Sequence, residues 1–207
     1  MEISKNDICS KESLLKIKLI DFYKNPINLK ILLPIIWQQT RLSLRSLDWF
    51  VTNYSKKHNT NYILLKGTES FSYFPFKSYK SQLKAYSKKF CDPFCRRERV
   101  VFDFQGMEIL DFKSDMKMGH KDYIITTIGQ LNFFRFAIQD NIINYAIEHI
   151  EDIENDMNNT LKNRENEKTE AKNINFMEVK SIKRKELSAP GNKSVHITRI
   201  SAIIKFI

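Results

Sequence analysis

Glycine and proline are scarce in this chain, five of each among 207 residues. It contains no P-loop, no Gly-rich dinucleotide fingerprint and no Gly-x-Ser-x-Gly elbow. The His-Glu-x-x-His pattern is missing too, and the four histidines, His58, His120, His149 and His196, are scattered. The familiar nucleotide-binding and hydrolase motifs are therefore excluded, and no cofactor is expected. Cysteine is limited to Cys9, Cys91 and Cys95, an odd and sparse set that argues against a disulfide framework and for free thiols in a reducing compartment. Cys91 and Cys95 have no second cysteine pair to complete the four ligands of a structural zinc, so no metal site is expected. Long hydrophobic runs are lacking as well. The longest, around Ile31–Trp37, is interrupted by Pro34 and falls far short of the ~20 residues of a membrane span. The first residues show no apolar stretch leading to a small-residue cleavage site, so neither a secretory signal nor a transmembrane segment is expected.

What is present is apolar and basic. Hydrophobic residues make up 42% of the chain and aromatics 12%, with 15 Phe and 8 Tyr, enough to build a core. The length fits one domain with tails. Lys and Arg number 34 against 24 Asp and Glu, a net charge of +10, which favours a nucleic acid, an anionic membrane or an acidic protein as partner. The richness in Lys, Asn, Ile, Phe and Tyr is the bias of an AT-rich genome.

Hydrophobic spacing predicts a helix over 34–57, with Ile36, Leu44, Leu47, Val51 and Tyr54 on one face. A hairpin follows from Asn61–Leu65 and Phe71–Phe76, with Pro75 at its edge. Over 77–90, Tyr79, Leu83, Tyr86 and Phe90 project to one side of a helix and Lys77, Lys80, Lys84 and Lys88 to the other. Asp92-Pro93 is expected to stop it. Arg99–Phe104 and Met107–Phe112 read as a second hairpin and Tyr123–Thr127 as a further strand. Thr127-Ile-Gly-Gln130 has the form of a capping box at the head of a long helix through Ile153. Beyond it, residues 148–172 carry eight acidic side chains against four basic ones, as a solvated helix or linker does. Val195–Ile207 alternates like a strand.

The densest charge lies in Lys77–Arg99: Lys77, Lys80, Lys84, Lys88, Lys89, Arg96, Arg97 and Arg99 against only Asp92 and Glu98. Such a face can neutralise several phosphates and release counterions, while nearby aromatic rings stack on bases. The bland equivalent is a solvated lysine face over an aromatic core. Lys183, Arg184 and Lys185, with Lys180, form a second basic cluster. Asp103, Asp111 and Lys113 imitate the carboxylate and lysine layout of metal-dependent nucleases, as would alternating charges on an exposed hairpin.

Three stretches carry a resemblance: Asn25-Pro-Ile-Asn-Leu-Lys-Ile-Leu through Leu47-Asp-Trp-Phe-Val-Thr-Asn-Tyr-Ser-Lys-Lys57; Tyr79-Lys-Ser-Gln-Leu-Lys-Ala-Tyr-Ser-Lys-Lys-Phe-Cys-Asp-Pro-Phe-Cys-Arg-Arg97; and Ile124-Ile-Thr-Thr-Ile-Gly-Gln-Leu-Asn-Phe-Phe-Arg135. They resemble an uncharacterised protein family of the nucleocytoplasmic large DNA viruses, the giant-virus group. The resemblance carries no catalytic residue. It implies a protein made in the host cytoplasm or viral factory, where it works or from which it enters the virion.

The expected architecture is α+β: an extension over 1–24, a core over 25–155 of helices on a small, mostly antiparallel sheet, a polar helical extension or linker over 156–180, and a basic tail over 181–207 ending in a strand. The expected function is non-enzymatic and non-specific association with nucleic acid through the basic face and the tail. A virion structural or assembly role with an acidic viral protein as partner is the alternative, and a metal-dependent nuclease the third.

Overall fold

The computed structural model describes residues 10–95, 98–113 and 122–177, and the side chains of all these except Lys66 and 164–177. The chain divides into two compact units, 1–163 and 164–207. Of the second, the helical backbone of 164–177 is described, so Lys183, Arg184, Lys185 and the predicted terminal strand lie outside the described residues, as do Arg96 and Arg97.

The first unit is built round one helix. Thr127 ends strand β5 (Tyr123–Thr127) and its hydroxyl accepts the N–H of Gln130 at 3.1 Å, opening α6 (Ile128–Gln139) as the capping motif predicts. Leu131, Phe133, Phe134, Phe136 and Ala137 leave this helix in several directions, and all are buried. A helix that is apolar on most sides must be surrounded. Helices α1 (Lys11–Tyr23) and α2 (Pro26–Ile36), the helix α7 (Ile142–Glu148) and strand β5 all pack on it. Leu15, Leu19 and Tyr23 of α1 are fully covered, so residues before 25 contribute to the main core. The Tyr23 hydroxyl donates to the Leu131 carbonyl at 2.8 Å. Burial pushes this phenol far up, so it stays a donor.

Two small antiparallel sheets complete an α+β fold. In one, β1 (Tyr62–Lys66) pairs with β2 (Glu69–Tyr73). Tyr62 and Tyr73 anchor it to the C-terminal end of α6: the Tyr62 hydroxyl donates to the Asp140 carbonyl at 2.6 Å and that of Tyr73 to the Asp140 carboxylate at 2.8 Å. In the other, β3 (Arg99–Asp103) lies between β4 (Glu108–Asp111) and β5. Central β3 buries Val100, Val101 and Phe102. Among the described residues no helix is long and apolar enough to cross a membrane.

The helix predicted over 34–57 is broken between residues 37 and 43. Pro34 lies inside α2, Gln38 turns the chain with φ 56°, and Ser43 accepts the Ser46 N–H at 3.0 Å to start α3 (Leu44–Trp49) afresh. A π turn (Phe50–Tyr54) then leads into α4 (Ser55–Lys57). The helix after Thr127 is likewise interrupted at Asn141, left-handed with φ 57°, before α7 and then α8 (Ile150–Met177). In both cases a single left-handed residue interrupts the continuous apolar spacing.

Candidate nucleic-acid interface

Helix α5 (Pro75–Tyr86) begins with proline at its first position, where the missing N–H is unneeded, so Pro75 serves the helix rather than the edge of β2. It ends at Ser87, with φ 63°, and a 3-10 turn (Lys88–Phe90) follows. Tyr79 is buried, with its ring edge-on to Phe133 at 5.7 Å. Leu83, Tyr86 and Phe90 pack beside it on the core. Lys77, Lys80 and Lys84 of the helix and Lys88 of the turn are all exposed, but Lys88, displaced from the predicted stripe by the break at Ser87, borders a cleft with Tyr79 and Leu83. None of these four makes an ion pair among the described residues. Lys77 lies 4.3 Å from the Phe74 ring centre, and Lys80 and Lys56 each lie 5.6 Å from that of Phe76. Aromatic faces attract cations without cancelling their charge. No acidic side chain occupies the first turn of α5, so Lys77 sits at the positive end of the helix dipole and raises an already positive potential.

Lys89 is different. It pairs with Glu98 at 2.6 Å and Glu12 at 3.4 Å, so two carboxylates already answer its charge. Arg99, at the start of β3, is exposed, with its guanidinium 6.0 Å from the Phe112 ring centre.

Residues 91–95 are clamped onto the start of α6. Asn132, fully buried, donates to the Phe90 carbonyl at 2.6 Å, and the Tyr79 hydroxyl donates to that of Cys91 at 3.3 Å. A Cβ on Gly129 would lie 2.8 Å from the Lys89 carbonyl oxygen and 2.9 Å from that of Asp92, so only glycine lets the two backbones approach this closely. The Asp92 carboxylate accepts the Phe94 N–H at 2.9 Å and closes an Asx turn. Cys91 and Cys95 are free, as expected. Burial pushes the Cys91 thiol up to about 12, which leaves it protonated and unreactive near neutral pH.

This clamp holds up Phe94, 45% exposed, at the meeting point of three clefts. One, about 240 Å³, includes Leu44, Arg99, Thr126, Thr127 and Gln130 in its walls. The next, about 390 Å³, shares Leu44, Phe94 and Gln130 with it and adds Arg45, Ile35 and Ile36. The third, about 340 Å³, is lined by Asp48, Thr52, Tyr79, Leu83, Lys88, Asp92 and Phe94. There burial, reinforced by the neighbouring Asp92 charge, pushes the Asp48 carboxyl up to about 6.

The nuclease layout is not assembled. Strand pairing sets Asp103 opposite Glu108 and Asp111 opposite Val100, three residues apart along the ladder, or roughly 10 Å. Asp103 instead accepts the N–H groups of Gln105 at 2.9 Å and Gly106 at 2.8 Å, shaping the turn. Asp111 and Lys113 are exposed. No group of three or more metal-ligating side chains forms among the described residues.

Sequence spacing located the lysine stripe but missed Phe94, Arg45, Asp48 and Lys56. The available signals were Asp92-Pro93-Phe94, a turn that ends on an aromatic, and Gly129, a rare glycine in the first turn of an apolar helix.

The model of a family described as of unknown function, DUF7197, matches residues 3–204. The chain belongs to this family. It is also 39% identical over 140 residues to "Uncharacterized protein L507" of Acanthamoeba polyphaga mimivirus, an alignment covering 66% of this chain and 49% of that protein. The chain thus spans about half the length of this relative. No solved structure matches it. The resemblance to an uncharacterised giant-virus family is therefore met, and this family member is a viral protein. The three stretches that carry the resemblance converge on the Phe94 clefts: Asp48 and Thr52 come from the first, Tyr79 through Phe94 from the second, and Thr126 through Gln130 from the third.

Proposed function

We propose that this protein associates with nucleic acid without sequence preference and without catalysing chemistry on it, in the host cytoplasm or viral factory. The observation that carries this reading is the row Lys77, Lys80 and Lys84 along α5 with Lys88 in the turn after it, all exposed and without an ion pair among the described residues. A row of exposed cations without an ion pair among the described residues, on a chain of net charge +10, exchanges condensed counterions for phosphate contacts. The expected behaviour is binding of DNA and RNA that weakens steeply between about 50 and 200 mM salt. Lys80→Glu with Lys84→Glu should weaken binding about tenfold at low salt and flatten the log–log salt slope by about 2 or more. Fluorescence anisotropy across a salt series measures both quantities. Wild-type affinity independent of salt would rule the reading out.

A virion assembly role is favoured by a separate feature. Ile63 and Leu65 are each 72% exposed on the outer face of the β1–β2 ribbon, opposite Ser72 and Ser70, and paired exposed aliphatics suit burial by another protein. On that reading, Ile63→Ser with Leu65→Ser abolishes incorporation into virions and leaves nucleic-acid binding unchanged. Quantitative mass spectrometry of purified particles reads the outcome, and undiminished copy number would remove the ribbon from consideration.

A further inference from the structure

We infer that Phe94 and the two clefts beside it form a subsite for an unstacked nucleotide, so that the nucleic acid this protein takes is single-stranded. The inference rests on the nucleic-acid reading and adds which form is held and where. Phe94 is an exposed aromatic on a rigid mount: the Asx turn, the Gly129 approach and the Asn132 hydrogen bond fix the backbone that carries it. Water-exposed apolar surface held this firmly is a ready stacking platform, since order is already imposed before a base arrives.

Charge selects the occupant. Among the described residues, the two clefts joined through Leu44, Phe94 and Gln130 have no carboxylate in their walls and one arginine each, Arg99 and Arg45. Both arginines are exposed and without an ion pair among the described residues. Thr126 donates to the Gln130 Oε1 at 2.6 Å, which orients the amide and leaves its Nε2 to donate to a ligand oxygen. Of the three clefts, Asp48 and Asp92 line only the third. Lys88, in the turn that follows α5, reaches the same ring through that third cleft, beside Asp48 and Asp92. A cationic track ending on a free aromatic face matches a strand whose bases are unpaired, because in a duplex those faces are buried in the stack. An acidic peptide would use the cations but has no flat face for the ring.

The test uses the full chain, labelled oligothymidylate, a duplex of equal length and a labelled polyglutamate peptide, each titrated across a salt series. The expected result is tighter binding of the single strand than of the duplex. Phe94→Ala should weaken single-strand binding roughly tenfold with the salt slope unchanged, because stacking is not a counterion effect, and should leave duplex binding as it was. Phe94→Tyr should restore the loss. Arg45→Ala with Arg99→Ala, both surface changes, should reduce the single-strand salt slope by about 2. Salt-sensitive nucleic-acid binding that ignores Phe94→Ala overturns the subsite and leaves the α5 reading intact, whereas no nucleic-acid binding at all overturns both. Polyglutamate binding that depends on Phe94 while oligothymidylate binding does not also overturns the subsite, in favour of an acidic protein.

Discussion

Gly129→Ala is expected to destabilise the first unit by about 3 kcal/mol, at the upper end of what overpacking usually costs. The new Cβ would lie 2.8 Å from one backbone carbonyl oxygen and 2.9 Å from another, those of Lys89 and Asp92, and neither can rotate away as a side chain would. Helix propensity works in the opposite direction, since alanine inside a helix is better than glycine by up to about 1 kcal/mol. The sign of the result therefore decides which effect dominates, and the steric one should. The chain can relieve the clash only by moving the 89–92 backbone off α6, which breaks the Asn132 hydrogen bond to Phe90 and the Tyr79 hydrogen bond to Cys91. Urea unfolding followed by circular dichroism gives the stability change. Reactivity of Cys91 toward a thiol reagent gives the displacement, because this buried thiol should become accessible in the variant and stay silent in the wild type. A variant as stable as the wild type, with a silent thiol, would mean that the close approach carries no structural weight.

The elements that could be read from the chain are those in which local chemistry and tertiary packing agree. β5 runs from Tyr123 to Thr127, as its aromatic and β-branched residues predict, and Thr127 caps α6 as its side chain predicts. The α5 stripe was legible because helical spacing separates Tyr79 and Leu83 from Lys80 and Lys84 whatever else the chain does. The breaks at Gln38 and Asn141 were hidden because each depends on a single left-handed residue inside apolar spacing. Asn141 follows Asp140, whose carboxylate and carbonyl are held by tyrosines from a distant hairpin. The Phe94 clefts were illegible for the same reason on a larger scale. Arg45, Lys88, Arg99 and Gln130 are far apart in sequence and each lines a cleft at Phe94 only in the folded chain, so no spacing rule connects them.

Asp48→Asn is expected to stabilise the protein by about 2 kcal/mol near neutral pH. Its carboxyl is pushed from 3.8 to about 6 by burial first and by the Asp92 charge second, and no hydrogen bond among the described residues serves its oxygens. The native state therefore holds a proton that the unfolded chain releases, and stability falls as pH rises from about 4 to about 6. Above that range the full penalty of the charged form remains. A two-unit shift corresponds to nearly 3 kcal/mol, and partial solvent access through the cleft reduces it. Asparagine keeps the shape and removes the repulsion, so the variant's gain should vanish below about pH 4, where the wild-type carboxyl is neutral. Thermal and urea unfolding from acid to neutral pH measure the difference, and a gain that does not depend on pH would show that packing rather than ionisation is responsible. Above about pH 6 the charged carboxylate thus lowers stability while it faces the cleft that it shares with Tyr79, Lys88, Asp92 and Phe94.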